Sequence, residues 1–145
     1  MQQHCIYDME ILRNKNLRVT PFRKEVLTIF LENEHAISIQ DIEESLVEFD
    51  RITLYRTIKS FTNKGVIHEI VMPGDIKKLA LCDRVCDHDS GLHEHNHIHF
   101  QCRKCEEIFC VEPLDFPEIK IPGFTIEEQE IQAKGVCNKC ATVSQ

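Results

Sequence analysis

The chain has 145 residues, eight of them cysteine, and a formal net charge of −7. That length suits one ordinary domain or two small ones. No apolar run is long enough to span a bilayer. The start, MQQHCIYDME, lacks the basic residues and apolar stretch of a signal peptide. A cytoplasmic location with reduced thiols is therefore expected, and there many cysteines point to metal binding more than to disulfides. The charge is uneven. Residues 1–82 carry 11 Lys+Arg against 12 Asp+Glu, whereas residues 83–145 carry 6 against 12 and hold every cysteine except Cys5 and Cys82. Two modules follow, 1–82 and 83–145.

Thr20-Pro21 opens the first clear helix, with a hydroxyl to cap free amides and a proline at the first helical position. Phe22, Val26 and Phe30 repeat at spacing four, widened by Leu27 and Leu31. Ser38 and Asp41 resemble a capping box. Ile42, Leu46 and Phe49 make a second stripe. Asp50 caps a third helix with Leu54, Ile58 and Phe61 on one face, and Gly65 stops it. VIHEIV (66–71) and KKLAL (77–81) flank the turn MPGD, so a hairpin is predicted.

Short helices followed by a two-stranded ribbon suggest a winged helix-turn-helix. The helix RITLYRTIKSFTNKG would be the reader. Its stripe leaves Arg51, Tyr55, Arg56, Lys59 and Lys64 off the core face. There Arg and Lys can neutralise phosphates or bond guanine edges, and Tyr can bond a phosphate. Basic residues on a helix face are also commonly just solvated.

The second module carries metal chemistry. Cys102-Arg103-Lys104-Cys105 and Cys137-Asn138-Lys139-Cys140 are two CxxC pairs. Each can turn two thiolates toward one ion, and together they suit a structural zinc, Zn²⁺. Such a site carries a net −2, offset in part by Lys104 and Lys139. A redox CxxC needs only one pair and a thioredoxin-like context, which is missing. His93, His95, His97 and His99 fall on every second residue, the period of a strand. His93 and His99 would then stand roughly 20 Å apart, so a single ion would take a neighbouring pair and not all four. Other available donors are Cys82, Cys86, His88, Cys110, His68 and His35.

These motifs resemble the ferric uptake regulator family of metal-sensing repressors. TPFRKEVLTIF resembles its T-x-x-R-x-x-(I/V)-L helix. DRITLYRTIKSFTNKGVI resembles its recognition helix, with Thr53, Tyr55 and Arg56 in the TxYR core. HIHFQCRKC and GVCNKC resemble its two cysteine signatures. The resemblance implies an α+β fold, with a winged helix-turn-helix followed by a small α/β dimerisation domain holding a structural zinc on Cys102, Cys105, Cys137 and Cys140. It implies a homodimer on near-palindromic double-stranded DNA, with no membrane role. Arg51, Thr53, Tyr55, Arg56 and Lys59 would face the duplex. A regulatory metal would sit at the hinge on His68, Cys82, His97 and His99, with His95 and Cys110 as lesser candidates. A cysteine at position 82 is similar to the zinc uptake regulators, so zinc is the expected signal and metal-uptake genes the expected target. Sensing of Fe²⁺ or Mn²⁺, as in the iron and peroxide regulators, is the alternative. His35 resembles the first ligand of iron-type sites, though the spacing after it differs. An HxH zinc hydrolase with Glu94 as base is a rival of another class, but no HExxH helix supports it.

The chain departs from the family twice. Residues 83–96 are longer than usual, and the resemblance assigns no role to their Cys86, His88 and His93, nor to Cys5. Pro113, Pro117 and Pro122 stand where a long dimerisation helix is usual, and they exclude one. FTIEEQEIQAKG reads as a short helix by propensity and as a strand by resemblance.

Overall fold

The computed structural model describes residues 9–82, 98–111, 115, 117–127 and 129–143. After a helical stretch at 9–14, α1 (Pro21–Glu32) begins where expected: the Thr20 hydroxyl accepts from the Arg23 amide and Pro21 follows. In α2 (Ile39–Ser45), Ser38 and Asp41 exchange both bonds of the capping box. The helix is shorter than its apolar stripe. Leu46 caps it, and Phe49 packs against the core from beyond the helix end. Asp50 accepts from the Thr53 amide to start α3 (Arg51–Asn63). Gly65 takes a left-handed φ of 73°, a conformation that favours glycine after a helix.

The ribbon β1 (Ile67–Met72) and β2 (Ile76–Leu81) is antiparallel, with His68 opposite Ala80. It is the wing. Ile37, between α1 and α2, bridges to Leu79 and attaches the wing to the helices. Leu27, Ile42, Leu54 and Phe61, all fully buried, centre the first core.

The second sheet has the order β4-β3-β5, from β3 (Ile98–Cys102), β4 (Ile108–Val111) and β5 (Ile131–Gly135). β3 pairs antiparallel with β4 and parallel with β5. Within FTIEEQEIQAKG, the resemblance gives the better reading for Ile131–Gly135, while the described residues before it form neither helix nor strand. A short α4 (Asn138–Val143) follows, which the pattern did not suggest. Residues 117–127 contain no helix, as the prolines required. Gly135 lets the sheet close tightly, because a Cβ there would meet the Phe100 ring at 3.2 Å.

The two modules share a smaller core of Ala36, Ile70, Met72, Ala80 and Ile108. The Ala36 amide donates to the Ile108 carbonyl at 2.7 Å, and Gln132 Nε2 donates to the Val71 carbonyl at 2.9 Å. Among the described residues, no helix is long and apolar enough to cross a membrane.

Candidate metal centres and nucleic-acid interface

Cys102 ends β3, and Cys105 sits in the turn before β4. Parallel pairing sets Cys102 beside Gly135, so the chain leaving β5 delivers Cys137 to the same place, and α4 carries Cys140. The four thiols lie within 4.8 Å of one another. The Cys137 amide donates to Cys102 Sγ at 3.4 Å, and the Glu106 amide returns to the Cys102 carbonyl to hold the turn. Amides of Cys105 and Cys137 hold the Cys102 thiol down at about 6. The Cys137 thiol, and then burial, pushes Cys140 up to about 12. Four thiols so crowded cannot all ionise without a cation. Their number, closeness and sulfur chemistry fit a closed tetrahedral ion such as Zn²⁺.

The second cluster is assembled by two strand registers. On the wing, the Cys82 amide continues the ladder by donating to the Val66 carbonyl. Cys82 is therefore the diagonal neighbour of His68, and its Sγ lies 3.4 Å from His68 Nδ1. In the second sheet His99 lies directly opposite Cys110. The two strand pairs meet at the junction of the modules. His68 and His99 stack with ring centroids 5.5 Å apart, and His68, His99 and Cys110 offer donor atoms within 4.8 Å of one another. His99 is buried, and its Nδ1 lies 3.4 Å from Glu130 Oε1. His68, His99 and Cys110 form a half-buried nitrogen–sulfur donor set that fits a divalent ion of intermediate softness, with the Cys82 thiol against His68 beside it but outside that group of three.

His97 and His95 lie outside the described residues, as do Cys86, His88 and His93. Cys110, a lesser candidate from sequence, takes a central place. His35 stands apart from this cluster, with Nδ1 at 3.1 Å from Glu107 Oε2. Sequence pattern did not single out Glu130, Glu107 or Gln132. The spacing of Glu130 seven residues before Cys137 carries no chemical signal by itself.

On α3, Arg51, Tyr55, Arg56 and Lys59 are exposed and line a shallow recess of about 340 Å³ with Ile52. Ile52 is 63% exposed, an apolar group amid the cations that lies off the helix's buried stripe. Thr53 is also exposed, but its hydroxyl donates to Asp50 Oδ2 at 2.8 Å and so serves the helix cap. Arg51 Nε lies 3.8 Å from Glu43 Oε1, a surface pair that a phosphate could replace.

Residues 14–132 match the Ferric uptake regulator family. A Ferric uptake regulation protein of Staphylococcus aureus is 28% identical over 140 residues, covering 91% of this chain and 94% of the relative. One of Staphylococcus epidermidis is 26% identical over 140 residues, covering 91% and 93%. Among solved structures, a zinc uptake regulator complexed with zinc and DNA superposes with a TM-score of 0.62 at 22% identity, covering 98% of this chain and 95% of that one. The ferric uptake regulator of Pseudomonas aeruginosa with manganese gives 0.61 at 18% identity, covering 90% and 98%.

Proposed function

Because the chain belongs to the ferric uptake regulator family, we propose that it is a DNA-binding transcriptional repressor that senses zinc and controls metal-uptake genes. Family members are transcriptional regulators and not enzymes, which sets the hydrolase reading aside. One observation carries the choice of metal. The junction offers His68, Cys82, His99 and Cys110, with sulfur where an iron site would need more oxygen. A carboxylate does lie beside the cluster, with Glu130 Oε1 3.4 Å from His99 Nδ1.

The four-cysteine set would hold a structural zinc, and the junction would hold a second, exchangeable ion. That ion would supply a cross-link between wing and second sheet. The rest follows from the chain. His68 and Cys82 belong to the ribbon that follows α3, whereas His99 and Cys110 belong to the sheet shared with Ile131–Gly135. Drawing them together fixes the angle at which α3 presents Arg51, Tyr55, Arg56 and Lys59. In a homodimer, only one angle lets both copies of α3 reach half-sites of a near-palindromic operator. Fixing that angle removes the cost of selecting it. Linkage then requires DNA to tighten metal binding by the same factor, typically about 1–3 kcal/mol. Modules 1–82 and 83–145 would be the two bodies so joined, working in the cytoplasm where the operator lies.

The staphylococcal relatives are named for iron, which favours a second reading as an iron sensor. A titration separates the two. Protein holding only its four-cysteine zinc is mixed with operator DNA, and Zn²⁺, Fe²⁺ and Mn²⁺ are added at buffered free levels. The zinc reading expects Zn²⁺ to restore binding with one further equivalent per protomer. Equal restoration by Fe²⁺ or Mn²⁺ would sink it.

A further inference from the structure

The proposed sensing mechanism uses the junction cluster. A separate set of contacts joins residues 34–37 to the second module, and it involves the four-cysteine knuckle directly. Lys139, between Cys137 and Cys140, reaches across to Glu34 with Nζ 2.7 Å from Oε2. Glu107, two residues after Cys105, lies 3.1 Å from His35. The next residue along each strand continues the contact, since the Ala36 amide donates to the Ile108 carbonyl at 2.7 Å and both residues are buried. Ile37 then exchanges both backbone bonds with Leu79 of the wing. Four consecutive residues between α1 and α2 are thus held, in order, by the knuckle, the turn, β4 and β2.

We infer that the four-cysteine knuckle is a docking platform for the helix-turn-helix, with Lys139 and Glu107 as positioning residues that grip Glu34 and His35. The geometry gives a part to a charged residue inside the knuckle, which remains exposed while its ammonium meets Glu34 of the other module. The segment 34–37 leads directly into Ser38, the cap of α2, so a shift there moves the first helix of the reading pair. An intact knuckle is therefore needed for the reading geometry as well as for the local fold. The site rests on ordinary surface charges backed by one buried backbone bond. Each ion pair alone contributes little, and their effect lies in where they hold the chain. For DNA affinity, the inference rests on the proposed reading of α3. For docking itself, it does not.

The test is a charge swap on full-length, zinc-loaded protein: Glu34→Lys, Lys139→Glu, and both together. Docking is read from hydrogen exchange at the Ala36 amide, which needs no DNA. Each single reversal is expected to speed that exchange roughly three- to ten-fold. The double swap should return it to within about two-fold of the parent. Glu34→Lys lies away from the cysteines and should keep its full zinc content, so a loss of fold at Lys139→Glu does not decide the matter. Unchanged exchange in Glu34→Lys overturns the inference, and so does a double swap as fast as the product of the singles. Operator affinity is measured in parallel. Weakening in the singles with recovery in the double supports positioning. Faster exchange with unchanged affinity overturns positioning. If the parent protein binds no operator, the proposed function falls, while the exchange data still decide docking.

Discussion

His99 on β3 stands directly opposite Cys110 on β4, and across the module junction its ring stacks on His68. This one residue joins a strand pair to a wing. The arrangement makes Cys110 as central as the histidines, although its spacing after the CxxC pair gave it less weight.

Cys110→Ser and Cys82→Ser should each weaken the exchangeable metal by at least roughly tenfold, since even losing a residue that only supports a ligand commonly costs roughly 10–100-fold. The four-cysteine zinc should stay in both. Competition against a chromophoric chelator, with total metal counted per protomer, checks this. A variant with parental exchangeable affinity removes its cysteine from the ligand set.

Arg56→Glu should abolish specific operator binding and leave metal content intact. Lys59→Ala should weaken binding evenly across sequences and reduce the slope of affinity against salt by about 1. Fluorescence anisotropy over a salt series reads both. If the slope is unchanged, Lys59 does not touch a phosphate.

The capping box gives an acid limb. The Ser38 backbone amide, above all, holds the Asp41 carboxyl below its usual range. A lowered folded value means that the stabilisation is present above the unfolded value near about 4 and is lost as pH falls through the folded one. Asp41→Asn should flatten melting temperature against pH in that window without changing its slope near neutrality. Ser38→Ala removes the reciprocal half of the box and should cost about 1 kcal/mol at neutral pH. Equal acid sensitivity in the parent and Asp41→Asn would show that other carboxylates govern the limb.

Homodimerisation has a candidate surface in the segment that replaces the usual helix. Ile121 and Phe124 flank the Pro122-Gly123 turn, are 48% and 73% exposed, and have Ile119 and Ile126 beside them. Four exposed large apolar side chains within eight residues mark a contact surface more than a solvated one. Phe124→Asp should weaken the dimer by about 2 kcal/mol or more, roughly 30-fold. Sedimentation equilibrium measures it. A parental association constant would move the interface elsewhere.

The winged helix was legible because its signals are local. Thr20-Pro21, Ser38 with Asp41, and Asp50 are caps that act within four residues, and the structure uses all three. The four-cysteine set was legible because two CxxC pairs need no knowledge of what lies between. The junction cluster was legible only in part. Cys82 meets His68 and Cys110 meets His99 through strand registers, and register depends on the pairing of distant strands. Nothing local marks Lys139 as a partner of Glu34, because charges near a knuckle are common and the contact spans more than a hundred residues. Residues 124–135 have a helical pattern by propensity, yet Ile131–Gly135 form a strand and the described residues before it stay irregular. For Ile131–Gly135, tertiary pairing with β3 overrides propensity.

The parallel pairing of β3 with β5 also sets an order of assembly. The hairpin of β3 and β4 is complete by Val111, but its third strand begins only at Ile131. During synthesis, Cys102 and Cys105 leave the ribosome well before Cys137 and Cys140, and chains emerge at roughly 5–20 residues per second. For that interval the nascent chain presents half a tetrahedron beside a winged helix whose own contacts are already made. The closing cysteines arrive last, and with them the Lys139 contact to Glu34, after the partners of the Ala36–Ile108 bond are already in place.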